Sequence, residues 1–160
     1  IDFKKINILT FARENEKKFD LILIKQTIHL LSLKEIKYLL SKLKKSLNPK
    51  GKIFILTLNP FKNEFPNFDL MEKNLMKSLE RDKRILFLIS KLYPKRILRY
   101  FSYNVKISKK KYIHMISQRF ISILLKFNYK QIKSGINEIE LKYEKNLNFY
   151  DKLVCIIIKK

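Results

Sequence analysis

The stretch FDLILIKQTIHLLSLKEIKYLLSKLKKSLNPKGKIFILTLNP, Phe19 to Pro60, reads as one complete strand, helix, strand unit. Leu21 to Ile24 is an unbroken aliphatic run behind Asp20, the pattern of a strand covered on both faces. A polar break follows at Lys25, Gln26 and Thr27. From Leu33 to Leu47 the apolar residues Ile36, Leu39, Leu40, Leu43 and Leu47 recur at helical spacing, with lysines opposite and Ser32 placed to cap the start. Asn48, Pro49, Lys50 and Gly51 stop that helix, and Gly51 is expected to supply the positive φ of a tight turn. Ile53 to Leu58 is then a second buried strand. A right-handed crossover makes the two strands parallel neighbours in an α/β sheet.

This ordered series resembles the second half of the class I S-adenosylmethionine-dependent methyltransferases. In that family a Phe/Tyr-Asp-hydrophobic strand leads to a polar loop, a helix, a Lys/Pro-Gly-Gly-like turn and the next strand. The turn here is Asn48-Pro49-Lys50-Gly51, with lysine where the family has its first glycine. The resemblance implies a Rossmann-like methyltransferase fold and continues to the C-terminus. There Gln131 to Tyr143 and Phe149 to Lys159 look like the family's sixth and seventh strands, the last antiparallel. The family holds its cofactor on a glycine-rich loop after the first strand and binds the ribose through an acidic residue after the second. The chain has two glycines, Gly51 and Gly135, and neither lies in such a loop. An acid that often contacts adenine would fall near Thr10, Phe11 and Ala12, where none is present.

Ile6 to Thr10 is expected as a third strand running into a short loop. The expected architecture is therefore the C-terminal part of a methyltransferase-like domain, incomplete at its N-terminus, with residues 1–160 forming a single domain. Between the parallel unit and the C-terminal strands lies a helical insertion of about 62–104. Leu70 to Leu79 and Ile85 to Leu92 have amphipathic spacing, Pro94 breaks the path, and Ile97 to Phe101 adds another apolar turn. By the resemblance, this insertion lies over the active site. Ser108 is placed to cap a further helix reaching about Phe127, with Ile113, Ile116, Phe120, Ile123, Leu124 and Phe127 on its core face and Asn128 as its stop; an amphipathic, lysine-faced helix could instead rest on an anionic membrane surface.

Composition narrows the function classes. With 160 residues and 46% hydrophobic content, the chain can bury roughly two-thirds of its unfolded surface. The single cysteine, Cys155, excludes an internal disulfide and a cysteine-based zinc cluster, and its apolar surroundings read as a buried thiol in a cytoplasmic protein. No metal-ligand spacing, serine-histidine-aspartate order or phosphate loop is present. The longest apolar runs, Ile85 to Ile89 and Leu153 to Ile158, are a fraction of the roughly 20 residues a membrane span needs.

The 36 Lys and Arg against 14 Asp and Glu give a net charge of +22. Such a charge makes weak, salt-sensitive adsorption to polyanions the expected partner behaviour. The lysines are spread along nearly every segment, with short clusters at Lys44-Lys45, Lys109-Lys110-Lys111 and Lys159-Lys160. An alternative function is therefore a non-catalytic, basic nucleic-acid-binding or scaffold domain.

Few residues offer chemistry. Open α/β sheets bind ligands beyond the carboxyl ends of their strands, so the loop Lys25, Gln26, Thr27, Ile28 and His29 is the main candidate. The resemblance makes Lys25, Gln26 and Thr27 cofactor-binding, since the equivalent loop touches the methionine part of S-adenosylmethionine. His29 is either a general base near neutral pH or a histidine hydrogen-bonded at a helix start. Asn59, after the second strand, is a candidate substrate contact, with Thr57 and Pro60 beside it. On the later helix Tyr112, His114, Met115 and Arg119 have spacings that can share a face, and His114 and Arg119 are further substrate-binding candidates. A guanidinium offers two parallel donors to a carboxylate. The implied reaction is methyl transfer from S-adenosylmethionine to a small-molecule acceptor. An Asn-Pro-Pro-aromatic motif of the amino-methylating enzymes is absent, and Asn59-Pro60-Phe61 follows the second strand of the unit, where that motif would follow the first.

Overall fold

The computed structural model describes residues 3–160. In chain order the elements are α1 (Ile8–Glu14), β1 (Phe19–Lys25), α2 (Leu33–Lys45), β2 (Leu47–Leu58), α3 (Asp69–Leu92), β3 (Ile97–Ser108), α4 (Lys109–Ser117), α5 (Tyr129–Lys142) and β4 (Asn146–Lys159). The strands form one mixed sheet in the order β1-β2-β4-β3. By contact the chain divides into two compact units.

The first unit comprises the residues up to Leu58, Asp82–Phe101 and Leu153–Lys160. β1 and β2 are parallel, with Ile22 opposite Ile53 and Ile24 opposite Ile55. β4 is antiparallel to β2, with Ile158 opposite Ile53 and Ile156 opposite Ile55. This is a Rossmann-like α/β arrangement, with α2 as the crossover and an antiparallel last strand. The helix forms where its spacing predicts. Ser32 accepts from the Glu35 N–H while the Glu35 carboxylate accepts from the Ser32 N–H, a reciprocal cap. That exchange draws the Glu35 carboxyl below the usual range, the Ser32 hydrogen bonds being the cause. Ile36, Leu39, Leu40 and Leu43 are buried against Ile24, Ile53, Ile55 and Ile156. At the other end of α2, Lys18 Nζ donates to the Lys45 carbonyl at 2.8 Å and Lys160 Nζ to the Lys44 carbonyl at 3.0 Å. Those cations meet the negative end of the helix dipole.

Two details of this unit differ from the sequence reading. Asn48–Gly51, expected as a turn ahead of the strand, lies inside β2, which follows α2 after Ser46 alone, and the positive φ there belongs to Lys50, at 70°, and not to Gly51. Gly51 is needed for proximity instead, because a Cβ there would lie 2.9 Å from the carbonyl oxygens of Asn48 and Phe19. β1 is also covered less than its aliphatic run implies. Leu21 and Leu23 are 55% and 57% exposed while Ile22 and Ile24 face the core, so one face of β1 is covered and the other is open.

Ile6–Thr10 is not a strand. Asn7 accepts from the Leu9 N–H at 2.8 Å and starts α1 there. A local cap thus overrides the β-branched Ile6 and Ile8, and the helix buries Ala12 and packs Leu9 and Phe11 on the core. Ile97–Phe101, expected as a helical turn, is the start of β3, its run of β-branched and aromatic residues suiting an extended chain.

The second unit comprises Asn59–Arg81 and Ser102–Lys152. Its core gathers Phe68, Met71, Tyr112, Ile116, Leu124 and Phe149. Gln131–Tyr143 is not a strand but falls almost wholly in α5. Asn128 does not end a helix; it starts this one, exchanging hydrogen bonds with Gln131 in a second reciprocal cap. The buried Ile132, Gly135 and Ile139 follow the helical period. Ser108 caps α4 as expected, accepting from the Lys111 N–H. The helix then ends at Ser117 instead of continuing to Phe127, because Arg119 turns left-handed at φ 54°. Ile123, Leu124 and Phe127 still reach the core, from a short 3-10 turn at Ser122–Lys126 and its cap, whereas Phe120, expected on the core face, lies past the end of the helix and is exposed.

Candidate functional site

The loop after β1 is built by one unusual backbone position. Gln26 adopts φ 50°, and its N–H donates to the Leu56 carbonyl at 2.7 Å, extending the β1–β2 ladder by one step. A left-handed residue there turns the chain abruptly off the sheet, a conformation that non-glycine residues adopt at some cost. Thr27 follows, its carbonyl accepting from the Leu30 N–H at 3.0 Å. The 3-10 turn Ile28–Leu30 carries His29, half-buried, beside the fully buried Ile28. Ile28 pins the turn to the core while Lys25, Gln26 and Thr27 remain exposed.

At this carboxyl end of β1 lies a cavity of about 410 Å³ lined by Leu23, Ile24, Lys25, Thr27, Ile28 and Leu30. Its walls are mostly aliphatic, with an ammonium and a hydroxyl as polar handles. That composition suits a ligand anchored at one end and apolar elsewhere. A larger cavity of about 790 Å³ lies at the amino end of β1, bounded by Phe11, Glu14, Asn15, Lys17 and Phe19. The sequence reading named Lys25 and Thr27 and missed the aliphatic lining. The exposed leucines of β1 are not distinguishable from core residues by composition.

The remaining candidates lie in the second unit. Asn59 is buried, and its Oδ1 accepts from the Phe61 N–H at 3.0 Å while its own N–H donates to the Lys152 carbonyl at 2.8 Å. This carboxamide oxygen closes a local turn. The expected shared face of Tyr112, His114, Met115 and Arg119 does not form. Tyr112 is buried and donates its hydroxyl to the Pro66 carbonyl at 2.5 Å, whereas His114 is exposed. Burial raises the Tyr112 phenol far above its usual value, with a smaller contribution from Tyr143. Arg119 lies beyond the end of α4, half-buried, its N–H donating to the Ile116 carbonyl at 3.0 Å. Thus Lys25, Gln26, Thr27 and His29 share one loop, while Asn59, His114 and Arg119 occupy separate local settings.

Cys155, on β4, is buried, and burial pushes its thiol up. A raised thiol is a poor nucleophile. Asp151, on the same strand, is half-buried, and burial raises its carboxyl as well. Among the described residues no helix is long and apolar enough to cross a membrane.

No protein-family model matches the chain, and no curated protein does. Solved structures do resemble it. The plantazolicin methyltransferase BpumL in complex with SAH is 17% identical, with a TM-score of 0.44 over 99% of this chain and 58% of its own. The plantazolicin methyltransferase BamL, in complex with a triazolic desmethylPZN analog and SAH, is 16% identical, with a TM-score of 0.43 over 96% of this chain and 58% of its own. Phosphoethanolamine N-methyltransferase 2 of Haemonchus contortus, in complex with phosphomonomethylethanolamine and S-adenosylhomocysteine, is 14% identical, with a TM-score of 0.42 over 93% of this chain and 36% of its own. The chain therefore spans between 36% and 58% of the length of these proteins. At such identity the likeness is one of fold.

Proposed function

We propose that the chain is the C-terminal part of a methyltransferase domain whose complete protein transfers a methyl group from S-adenosylmethionine to a small-molecule acceptor. The observation that carries this reading is the left-handed turn at Gln26, which sets a polar loop over an apolar cavity at the carboxyl end of a parallel strand. Ligands of open α/β sheets bind at such ends. Lys25, Gln26 and Thr27 would hold the methionine end of the cofactor, whose aliphatic stem and charged terminus suit a wall of leucines with an ammonium and a hydroxyl. The cofactor supplies an electrophilic methyl on a sulfonium. The chain's part is to align the acceptor behind that methyl and keep water out, worth several orders of magnitude in rate without any covalent catalyst. With the cofactor bound, His29 would act as the base that takes the acceptor's proton. Asn59, His114 and Arg119 are assigned to the acceptor, and the protein is assigned to the cytoplasm, where its lone thiol stays reduced.

The test uses the complete protein and isotopically labelled S-adenosylmethionine with a panel of small acceptors. Gln26→Ala and His29→Ala should lower transfer at least tenfold with an unchanged melting temperature, whereas Ile24→Ala, in the core, should cost about 2 to 5 kcal/mol of stability. Loop variants that turn over like the parent, or that unfold as badly as the core variant, refute the assignment. The net charge of +22 favours a second reading, a basic nucleic-acid-binding or scaffold domain. Sequence-selective RNA binding that persists at physiological salt would promote it.

A further inference from the structure

From Lys83 to Asn137 the sequence contains no aspartate or glutamate. Within that run, the connection from α4 to α5 in the second unit exposes large apolar side chains among its cations. Phe120 and Leu125 are each 69% exposed and Tyr129 is 75% exposed, while Lys126, Lys130 and Lys133 are exposed beside them in sequence. The backbone beneath is tied down. The Phe120 N–H donates to the Met115 carbonyl at 3.1 Å, the Leu124 N–H to Ile121 at 2.9 Å and the Phe127 N–H to Leu124 at 3.1 Å. Leu124 and Phe127 are buried while Leu125, between them in sequence, points out. This backbone bonding holds the apolar side chains in water, and exposed apolar groups gathered within one short segment are candidates for an interaction site.

We infer that this connection is a docking patch for an anionic lipid surface. A lysine-bearing stretch of sequence with no acidic residue in it is complementary to anionic headgroups, and lysines keep their charge at that level while their stems lie along apolar surface. Phe120 and Leu125 would enter the headgroup and acyl boundary, with Tyr129 at the interface. A nucleic acid could stack bases on Phe120 and Tyr129, but it would leave unused Leu125, which offers no ring and is as exposed as Phe120. The patch is independent of the proposed methyl transfer and excludes Arg119, which that proposal uses.

Flotation of the full chain with vesicles of phosphatidylcholine containing about 30% phosphatidylserine, in about 150 mM salt, tests this while screening diffuse charge. Phe120→Ser with Leu125→Ser leaves the net charge unchanged and should weaken binding at least tenfold. Lys126→Gln and Lys130→Gln should each weaken it about fivefold. Pure phosphatidylcholine vesicles should bind poorly. The chain has no tryptophan, so Leu125→Trp is a unique reporter. Its emission should shift to the blue and be quenched by brominated acyl chains on the anionic vesicles. Because that variant keeps an apolar side chain at an exposed position, it also covers misfolding of the serine variant. The proposal is overturned if Phe120→Ser with Leu125→Ser binds vesicles like the parent, if the tryptophan emission is unmoved, or if the serine pair abolishes binding to an RNA oligonucleotide and leaves vesicle binding intact.

Discussion

Gly135→Ala sets two known effects against each other. In the interior of a helix, alanine is favoured over glycine by about 0.5 to 1 kcal/mol, so α5 viewed alone should gain stability. The surroundings oppose this. A Cβ at Gly135 would lie 2.6 Å from Phe68 Cδ2 and 2.7 Å from its Cδ1 and Cε1, closer than real side chains approach. The Phe68 ring cannot swing into solvent, because it is 1% exposed and packed at 5.8 Å, centroid to centroid, against Phe127. Overpacking of an enclosed core costs about 1 to 3 kcal/mol, and contact with three ring atoms at once places this site at the upper end. The net expectation is destabilisation by about 2 to 2.5 kcal/mol, which for a chain of this size lowers the melting temperature by about 4 to 10 °C. Thermal and urea unfolding followed by circular dichroism measure it. Phe68→Leu removes the ring atoms involved, so the two changes together should be less harmful than their sum by about 1 kcal/mol or more. A Gly135→Ala chain that melts at or above the parent, or strict additivity with Phe68→Leu, would refute the packing argument.

Tyr112→Phe should cost about 1 to 3 kcal/mol, because it leaves the buried Pro66 carbonyl without its donor. Urea unfolding of the variant checks this. The raised Tyr112 phenol also implies a pH dependence. Its contribution is fully present below the tyrosine value of the unfolded chain, near 10.0, and is lost as pH rises above it, so Tyr112→Phe should flatten the alkaline limb of the stability profile. Binding to short RNA or DNA oligonucleotides should be indifferent to sequence and collapse between about 50 and 200 mM salt, as counterion release requires. Fluorescence anisotropy with several oligonucleotides would expose any selectivity.

The parallel unit was legible because its physics is local. A hydrophobic run and a cap at Ser32 each declare themselves within a few residues, and the structure places β1 and α2 where those signals point, while β2 begins at Leu47, ahead of the expected turn. Ser108 and Asn128 were likewise recognisable as capping residues. Whether Asn128 ends one helix or opens the next was decided by a local exchange with Gln131 three residues on, a capping-box spacing that the sequence carries and the helix-stop reading passed over. The strand reading of Ile6–Thr10 and the helical reading of Ile97–Phe101 failed for a different reason. A short apolar run carries too few periods to separate 3.6 from 2, so the N-cap at Asn7 and pairing within the sheet chose instead.

The candidate loop followed from sequence because position at the end of a strand is a topological property. Its shape did not follow, since the left-handed conformations of Gln26 and Lys50 arise at residues with no intrinsic preference for them and are imposed by hydrogen bonding and turn closure. Exposure was decided last of all. Leucine at positions 21, 23 and 125 has the same solvation chemistry as leucine at positions 39 and 40, yet the first three stand in solvent and the other two are buried. That difference depends on what packs above each side chain, and composition holds no record of it.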